Sequence, residues 1–234
     1  MVAKKFWLFM EFGMPLKTFL NLTQKRQKEI IDVCLEEFAF NDYNDASLNR
    51  IIKKSGVAKG SFYRYFKSKK DVYEYLIEYG KRLNINLFNQ AFEKQVDKYK
   101  DILEAWVAFY LSAVKLDNKY PLFSYFGFKV SQERNNAILG DIVIRGKKLG
   151  IEMLRDKFRS QQKKGKIRDD MDTDLLIYIL LQIQSGFLDY LSIKYSIDFK
   201  KNVKERKPLF TITDEKIGEE LNKFAKVLRE GIGR

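Results

Sequence analysis

No histidine occurs anywhere in the 234 residues, and there is a single cysteine. The first absence removes the commonest metal ligand and the commonest general base. The second rules out an internal disulfide and fits a reducing interior. Cys34 falls on an apolar helical face and reads as a small core residue. Three prolines leave long periodic segments uninterrupted, which points to an all-α protein. No HExxH pair, Walker loop or nucleophile–base pairing is present, and "GKKLGIEM" (146–153) lacks the spacing of a phosphate loop. The chain is therefore expected not to be an enzyme and to need no cofactor or metal. Asp169, Asp170, Asp172 and Asp174 read as a solvated, helix-capping turn. No run is expected to span a bilayer: "FWLFMEF" (Phe6–Phe12) is too short, and no small-residue cleavage site follows it. Residues 1–13 read as an arm or as sequence ahead of a start at Met14, in preference to a membrane anchor.

What is abundant is positive charge and aromatic surface. The net charge is +13 and aromatics make up 15% of the chain, which suggests a polyanionic partner and a sizeable core. The basic residues are not spread evenly. Between Ala46 and Lys70 there are eight of them and no acid, with Asp45 and Asp71 closing the run on either side. A solvated helix normally mixes signs. A surface facing phosphates excludes carboxylates, and each cation that neutralises a phosphate releases counterions.

The local patterns around this run predict helices. From Gln24 to Phe40, Ile30, Ile31, Cys34, Leu35 and Phe38 share one face, with Thr23 as N-cap. "FNDYND" (Phe40–Asp45) is a turn. Ser47 caps a second helix with Leu48, Ile51 and Ile52 inward, and Gly56 supplies the left-handed residue that ends it. A third helix runs from about Ala58 to Phe66. Phe62 and Phe66, four apart, pack inward and leave Lys59, Ser61, Tyr63 and Arg64 facing out. Two short helices joined by such a turn form a helix-turn-helix. A fourth helix, capped by Ser68, carries Val72, Leu76, Tyr79, Leu83 and Leu87 and runs to about Asn89 as a connector.

At these residues the chain resembles the TetR family of transcriptional repressors. "SLNRIIKKSGVAKGSFYRYFKSKKDVYEYL" (Ser47–Leu76) carries the family pattern at Gly56, Val57, Lys59, Gly60, Ser61, Tyr63, Tyr65, Phe66 and Lys69. The first helix, "IIDVCLEEFAFNDY", is similar too, with Phe38 as its core aromatic. Cys34 and Ser55 replace alanines, and Asp42 replaces a frequent turn glycine. The resemblance is specific over about Thr23–Leu83. It implies DNA contacts at Ser47, Lys59, Gly60, Ser61, Tyr63, Arg64, Tyr65 and Lys69. Of these, Lys59 and Ser61 would lie near base edges, Tyr63 and Lys69 on phosphates, and Arg64 where sequence choice varies.

The expected organisation is an N-terminal extension (1–21), a three-helix DNA-binding domain (22–68) and a helical ligand-binding and dimerisation domain (69–234). In the last, "ILEAWVAFYLSAV" (102–114), "YPLFSYFGF" (120–128), Ala137–Phe158, Asp174–Ile193 and Asp214–Ile232 read as helices. The stretch "KKNVKERKP" (200–208) reads as a basic loop. The resemblance further implies a homodimer through the last two helices, a palindromic operator and a small hydrophobic or amphipathic effector, in the cytoplasm. Candidate pocket residues are Trp106, Phe109, Tyr110, Phe123, Tyr125, Phe126, Phe128, Tyr178 and Phe187, with Gln182, Gln184, Ser185 and Asp189 as polar contacts. The alternatives are an architectural DNA binder without an effector and a membrane-surface protein using "FWLFMEF" and the basic loop.

Overall fold

The computed structural model describes residues 15–88, 99, 101–132 and 137–230. The expected extension before Met14 lies outside them. The fold is all-α, and the chain divides into two compact units, residues 1–86 and 87–234.

The first unit holds α1 (Lys17–Leu20), α2 (Gln24–Phe40), α3 (Leu48–Ser55), α4 (Lys59–Tyr63) and α5 (Lys69–Phe88). Its caps follow from the sequence. Thr23 Oγ1 accepts from Arg26 N at 3.3 Å and Ser47 Oγ from Arg50 N at 3.4 Å. Ser68 Oγ accepts from Asp71 N at 3.1 Å. Gly56 ends α3 at φ 63°, where a side chain would be strained. The core is the predicted apolar face of α2 (Ile30, Ile31, Cys34, Leu35 and Phe38) with Ile51, Phe62, Phe66, Val72 and Leu76, all buried. Burial, with the Glu37 charge beside it, pushes the Cys34 thiol up to about 12.

Two features depart from the sequence reading. The unit closes at Asn86, beyond the boundary drawn after Ser68, because Val72, Tyr73, Tyr75 and Leu76 of α5 complete its core. It also takes in residues drawn as extension. Phe19 is fully buried, with its ring 5.8 Å from Tyr65, 5.0 Å from Phe66 and 5.7 Å from Tyr75.

The second unit holds α6 (Ile102–Lys119), α7 (Pro121–Gln132), α8 (Ala137–Lys163), α9 (Thr173–Tyr195), α10 (Phe199–Lys204) and α11 (Asp214–Glu230). Asp101 caps α6 by accepting from Leu103 N and Glu104 N. Pro121 opens α7, where its missing N–H costs nothing. α8 packs along α9 and α11 along α6. A Cβ at Gly150 of α8 would meet Leu181 Cδ1 of α9 at 3.2 Å, so this glycine permits the close approach. The basic stretch read as a loop contains α10, because Asp198 caps it and Phe199, Asn202 and Val203 are buried.

α11 buries Ile217, Leu221 and Ala225. Its carboxylate Glu220, 1% exposed, accepts from Lys194 Nζ (2.7 Å), Lys223 Nζ (2.8 Å), Tyr190 Oη (2.5 Å) and Tyr195 Oη (3.1 Å). Burial raises the Glu220 pKa, but these four donors together outweigh it and hold the carboxyl at about 2.

α9 corrects one expectation: by length and apolar composition it could cross a bilayer. It is apolar on two faces. Ile177, Leu180, Phe187 and Leu191 are buried, while Leu175, Ile179 and Ile193 are exposed on another face.

Candidate nucleic-acid interface

The helix-turn-helix is built from α3 and α4. Phe62 is fully buried and Phe66 nearly so, their rings 5.7 Å apart, and they fix the inner face of α4 as predicted. Lys59, Gly60, Tyr63 and Arg64 are exposed, and Ser61 and Tyr65 are half-buried. A Cβ at Gly60 would meet no atom within 4 Å, so the glycine leaves open surface. The Tyr63 ring stands edge-on to Phe62. The outward side of α4 thus carries two cations, a hydroxyl and an exposed phenol, and no acid. Such a surface can donate hydrogen bonds to phosphates and base edges.

Three supports hold α4 and α3 in place. At the end of α4, Leu16 N donates to Tyr65 O at 3.0 Å and Thr18 Oγ1 donates to Arg64 O. At the end of α3, Arg26 Nη2 donates to Ser55 O at 2.9 Å. At the start of α3, the buried Glu37 carboxylate accepts from Ser47 N (2.9 Å), Arg50 Nε (2.9 Å) and Arg50 Nη2 (2.6 Å). Two cations of the acid-free run thereby have a buried counter-charge among the described residues: Arg50 on Glu37 and, more loosely, Lys70 on Glu74 at 3.8 Å. Lys69, expected on a phosphate, has its ammonium on the carbonyls of Asn44 and Ala46 and 4.8 Å from the Tyr43 ring centroid. Glu37, Arg26 and the residue 16–19 staple escape periodicity arguments. Their partners are backbone groups and side chains on other helices.

In the second unit the structure brings together part of the candidate pocket. The Trp106 and Tyr110 rings are 5.7 Å apart, Tyr110 and Phe187 5.1 Å, and Phe187 and Phe224 5.3 Å. Phe123 and Phe126 pair at 6.4 Å, with Tyr125 buried beside them in sequence and Phe109 half-buried. Phe128 instead joins Phe199 and Phe210. Tyr178 is exposed, with the Lys147 ammonium 5.8 Å from its ring centroid, and Lys147 donates to Gln182 at 2.7 Å. Asp189 accepts from Gln132. The side chains of Gln184 and Ser185 lie outside the described residues.

The acidic turn behaves as a capping element. Asp172 accepts from Leu175 N, Asp174 pairs with Arg155 and Asp170 with Arg168. A cleft of about 310 Å³ opens beside it, and none of its lining residues belongs to the candidate pocket. No cluster of metal-ligating side chains occurs among the described residues.

Comparison with known proteins agrees with this geometry. The family model described as bacterial regulatory proteins, tetR family, matches residues 30–76, from α2 into α5. A TetR-family transcriptional regulator from Chloroflexus aurantiacus is 26% identical, with a TM-score of 0.67 over 94% of this chain and 98% of that one. The chain belongs to the TetR family. Members of this family are DNA-binding transcriptional regulators and not enzymes. The fatty acid metabolism regulator protein of Bacillus subtilis is 43% identical over 53 residues, 22% of this chain and 27% of that one. An HTH-type transcriptional regulator of Staphylococcus aureus is 30% identical over 97 residues, 41% of this chain and 50% of that one. These curated relatives are therefore matched over half their length or less. The FadR structure from Bacillus subtilis in complex with stearoyl-CoA shares the fold, with a TM-score of 0.60 over 88% of this chain and 99% of that one, at 20% identity.

Proposed function

We propose that this TetR-family protein is a homodimeric repressor that reads a palindromic DNA operator and is released by a long-chain acyl effector. The observation that carries the DNA reading is the acid-free outer face of α4, with Lys59, Ser61, Tyr63 and Arg64 held out by the buried Phe62 and Phe66. Lys59 and Ser61 approach base edges, Tyr63 donates to a phosphate, and Arg64 chooses sequence; Gly60 lets the backbone come close, and Ser47 caps α3 beside the DNA backbone.

The dimer reading rests on α9. Leu175, Ile179, Gly186 and Ile193 recur at helical spacing, and all four are exposed. A Cβ at Gly186 would meet nothing within 4 Å, which leaves room for a second helix to approach closely. Two recognition helices about one DNA turn apart need two subunits. Leu221 is buried on the apolar face of α11, which favours α9 as the principal contact with the second copy.

The acyl reading rests on the Trp106–Tyr110–Phe187 cluster and on the likeness to the Bacillus subtilis fatty acid metabolism regulator and to FadR in complex with stearoyl-CoA. The Trp106 indole N–H is buried with no hydrogen-bond partner among the described residues. An effector carbonyl there would relieve a penalty of about 1–3 kcal/mol. An effector switches the protein only by binding two states unequally, and operator DNA must then weaken effector binding by the same factor. α5, which begins in the DNA-reading unit and runs to its boundary, is the natural lever.

The test is a competition between a duplex selected from a random pool and unselected DNA, with and without stearoyl-CoA. Preferential binding that stearoyl-CoA weakens is the expected result. Equal affinity for both DNAs would make the protein architectural. Selective binding that ignores stearoyl-CoA would remove the acyl effector alone.

A further inference from the structure

The outer face of α9 carries an amide at its centre. Ile179, Gln182, Gly186 and Ile193 follow Leu175 by four, seven, eleven and eighteen positions. At about 3.6 residues per turn these five share one face. Leu175, Ile179 and Ile193 are exposed, and a Cβ at Gly186 would meet nothing within 4 Å. Gln182 sits among them with its oxygen already engaged: Lys147 Nζ of α8 donates to Oε1 at 2.7 Å. An ammonium only donates, so the oxygen must face Lys147 and the two Nε2 donors turn away from it. No acceptor for Nε2 occurs among the described residues.

In a free chain water satisfies those donors. Once the face is covered they need an acceptor, because a buried amide left unpaired costs affinity. A two-fold pairing sets each residue of the face against another of the same face. Leu175 and Ile193 lie equally far from position 184, and so do Gln182 and Gly186. With α9 antiparallel to its copy about that point, Leu175 meets Ile193 and Gln182 meets the glycine. The missing side chain gives the amide a seat and opens the helix backbone to it. Ile179 then stands opposite Asp189, whose carboxylate already accepts from Gln132. A slip of one turn in either direction parts Leu175 from Ile193 and takes the amide off the glycine.

We propose that Gln182 and Gly186 fix the register of self-pairing along α9, the amide of each copy seated over the glycine of the other. The inference rests on the dimer reading above and supplies the geometry which that reading leaves open. Lys147 is the positioning residue, because it turns the amide outward. The same contact selects the partner. A helix with a side chain at the glycine position collides with the amide, so the face takes a copy of this chain and rejects apolar helices in general.

Cysteine pairs read the register directly, since a disulfide needs Cα atoms within about 7 Å. Leu175→Cys chains mixed with Ile193→Cys chains should crosslink under mild oxidation, and neither variant should crosslink alone. The native Cys34 is buried and takes no part. Gly186→Leu should raise the dimer dissociation constant about tenfold or more in sedimentation, as overfilling a close contact does. Its melting temperature should hold, because the monomer has room there. Gln182→Leu should stay dimeric, but in that background the mixed crosslink should fall about threefold as registers a turn apart become equivalent. The inference is overturned if the wild type is a dimer and the mixture does not crosslink, or if either single variant crosslinks to itself. It is overturned as well if Gly186→Leu dimerises like wild type, or if Gln182→Leu keeps the full yield. A wild-type chain that sediments as a monomer at micromolar concentration defeats the dimer reading itself, and the inference with it.

Discussion

The two units of this chain are built under different kinds of constraint. In the first, each residue of α3 and α4 answers to two demands, since the inner face must fill a small core and the outer face must meet a polyanion. Phe62 and Phe66 sit one helical turn apart, with Tyr63 and Arg64 between them, and few sequences satisfy that arrangement. In the second unit most positions answer to packing alone. Trp106, Tyr110 and Phe187 fill space between helices that many other large side chains could fill. Motifs therefore survive in the first unit, whereas only periodicity survives in the second.

The largest expected effect tests whether the units depend on one another. Leu221 is fully buried on α11, so Leu221→Asp should cost more than the ~2–5 kcal/mol of truncation to alanine, because it adds an unpaired charge. Hydrogen exchange should show lost protection across α6 and α11 while α2 and α3 keep theirs. Loss of protection in both units together would break the comparison.

A smaller effect on folding, with a large one on assembly, is expected at the exposed face of α9. Ile179→Glu should leave the melting temperature within the range of ordinary surface substitutions, about 0.5 kcal/mol in stability. Sedimentation should shift it from dimer to monomer, and affinity for the palindrome should fall. A variant that remains dimeric would move the interface off this face.

The smallest effect is a pH dependence confined to the second unit. Burial raises the Asp117 carboxyl to about 6, against the opposing hydrogen bond that Ser124 Oγ donates at 2.6 Å. A group with a higher pKa folded than unfolded favours the fold below the ordinary carboxylate range, and it gives up that stability as pH rises towards about 6. Asp117→Asn should therefore raise stability at pH 7 and leave it unchanged near pH 3, read from urea midpoints at the two pH values. An equal change at both would assign the effect to packing.

How much was legible in the sequence follows the same division. Thr23, Ser47, Ser68 and Gly56 were readable as caps because capping is local chemistry within three residues. The α2 core face was readable because it repeats. Phe19 was not, since a lone aromatic in a short, four-residue helix has no period and its partners Tyr65, Phe66 and Tyr75 lie far along the chain. Glu37 belongs to the same class. Nothing in "VCLEEFAF" marks which of its two acids is buried until Arg50 and Ser47 N are placed beside it. The basic stretch 200–208 looked like a loop because its charge count hid two buried positions, Asn202 and Val203, inside a six-residue helix. The α9 stripe was visible as apolar character, but its exposed face could be separated from its buried one only after α8 was in place.

Cys34 gives the molecule a built-in gauge of its own opening. It is the chain's single thiol, it is 1% exposed, and its raised pKa keeps it protonated at neutral pH. A thiol reagent can reach it only when the first unit opens, and the attacking form is the thiolate. Under native conditions its labelling rate therefore counts opening events of the DNA-reading unit directly, without a dye or a substitution. A ligand that binds only the closed unit must slow that rate by the factor with which it stabilises closure. One reagent and a mass spectrometer would thus weigh any candidate operator or effector by how firmly it holds the first unit shut.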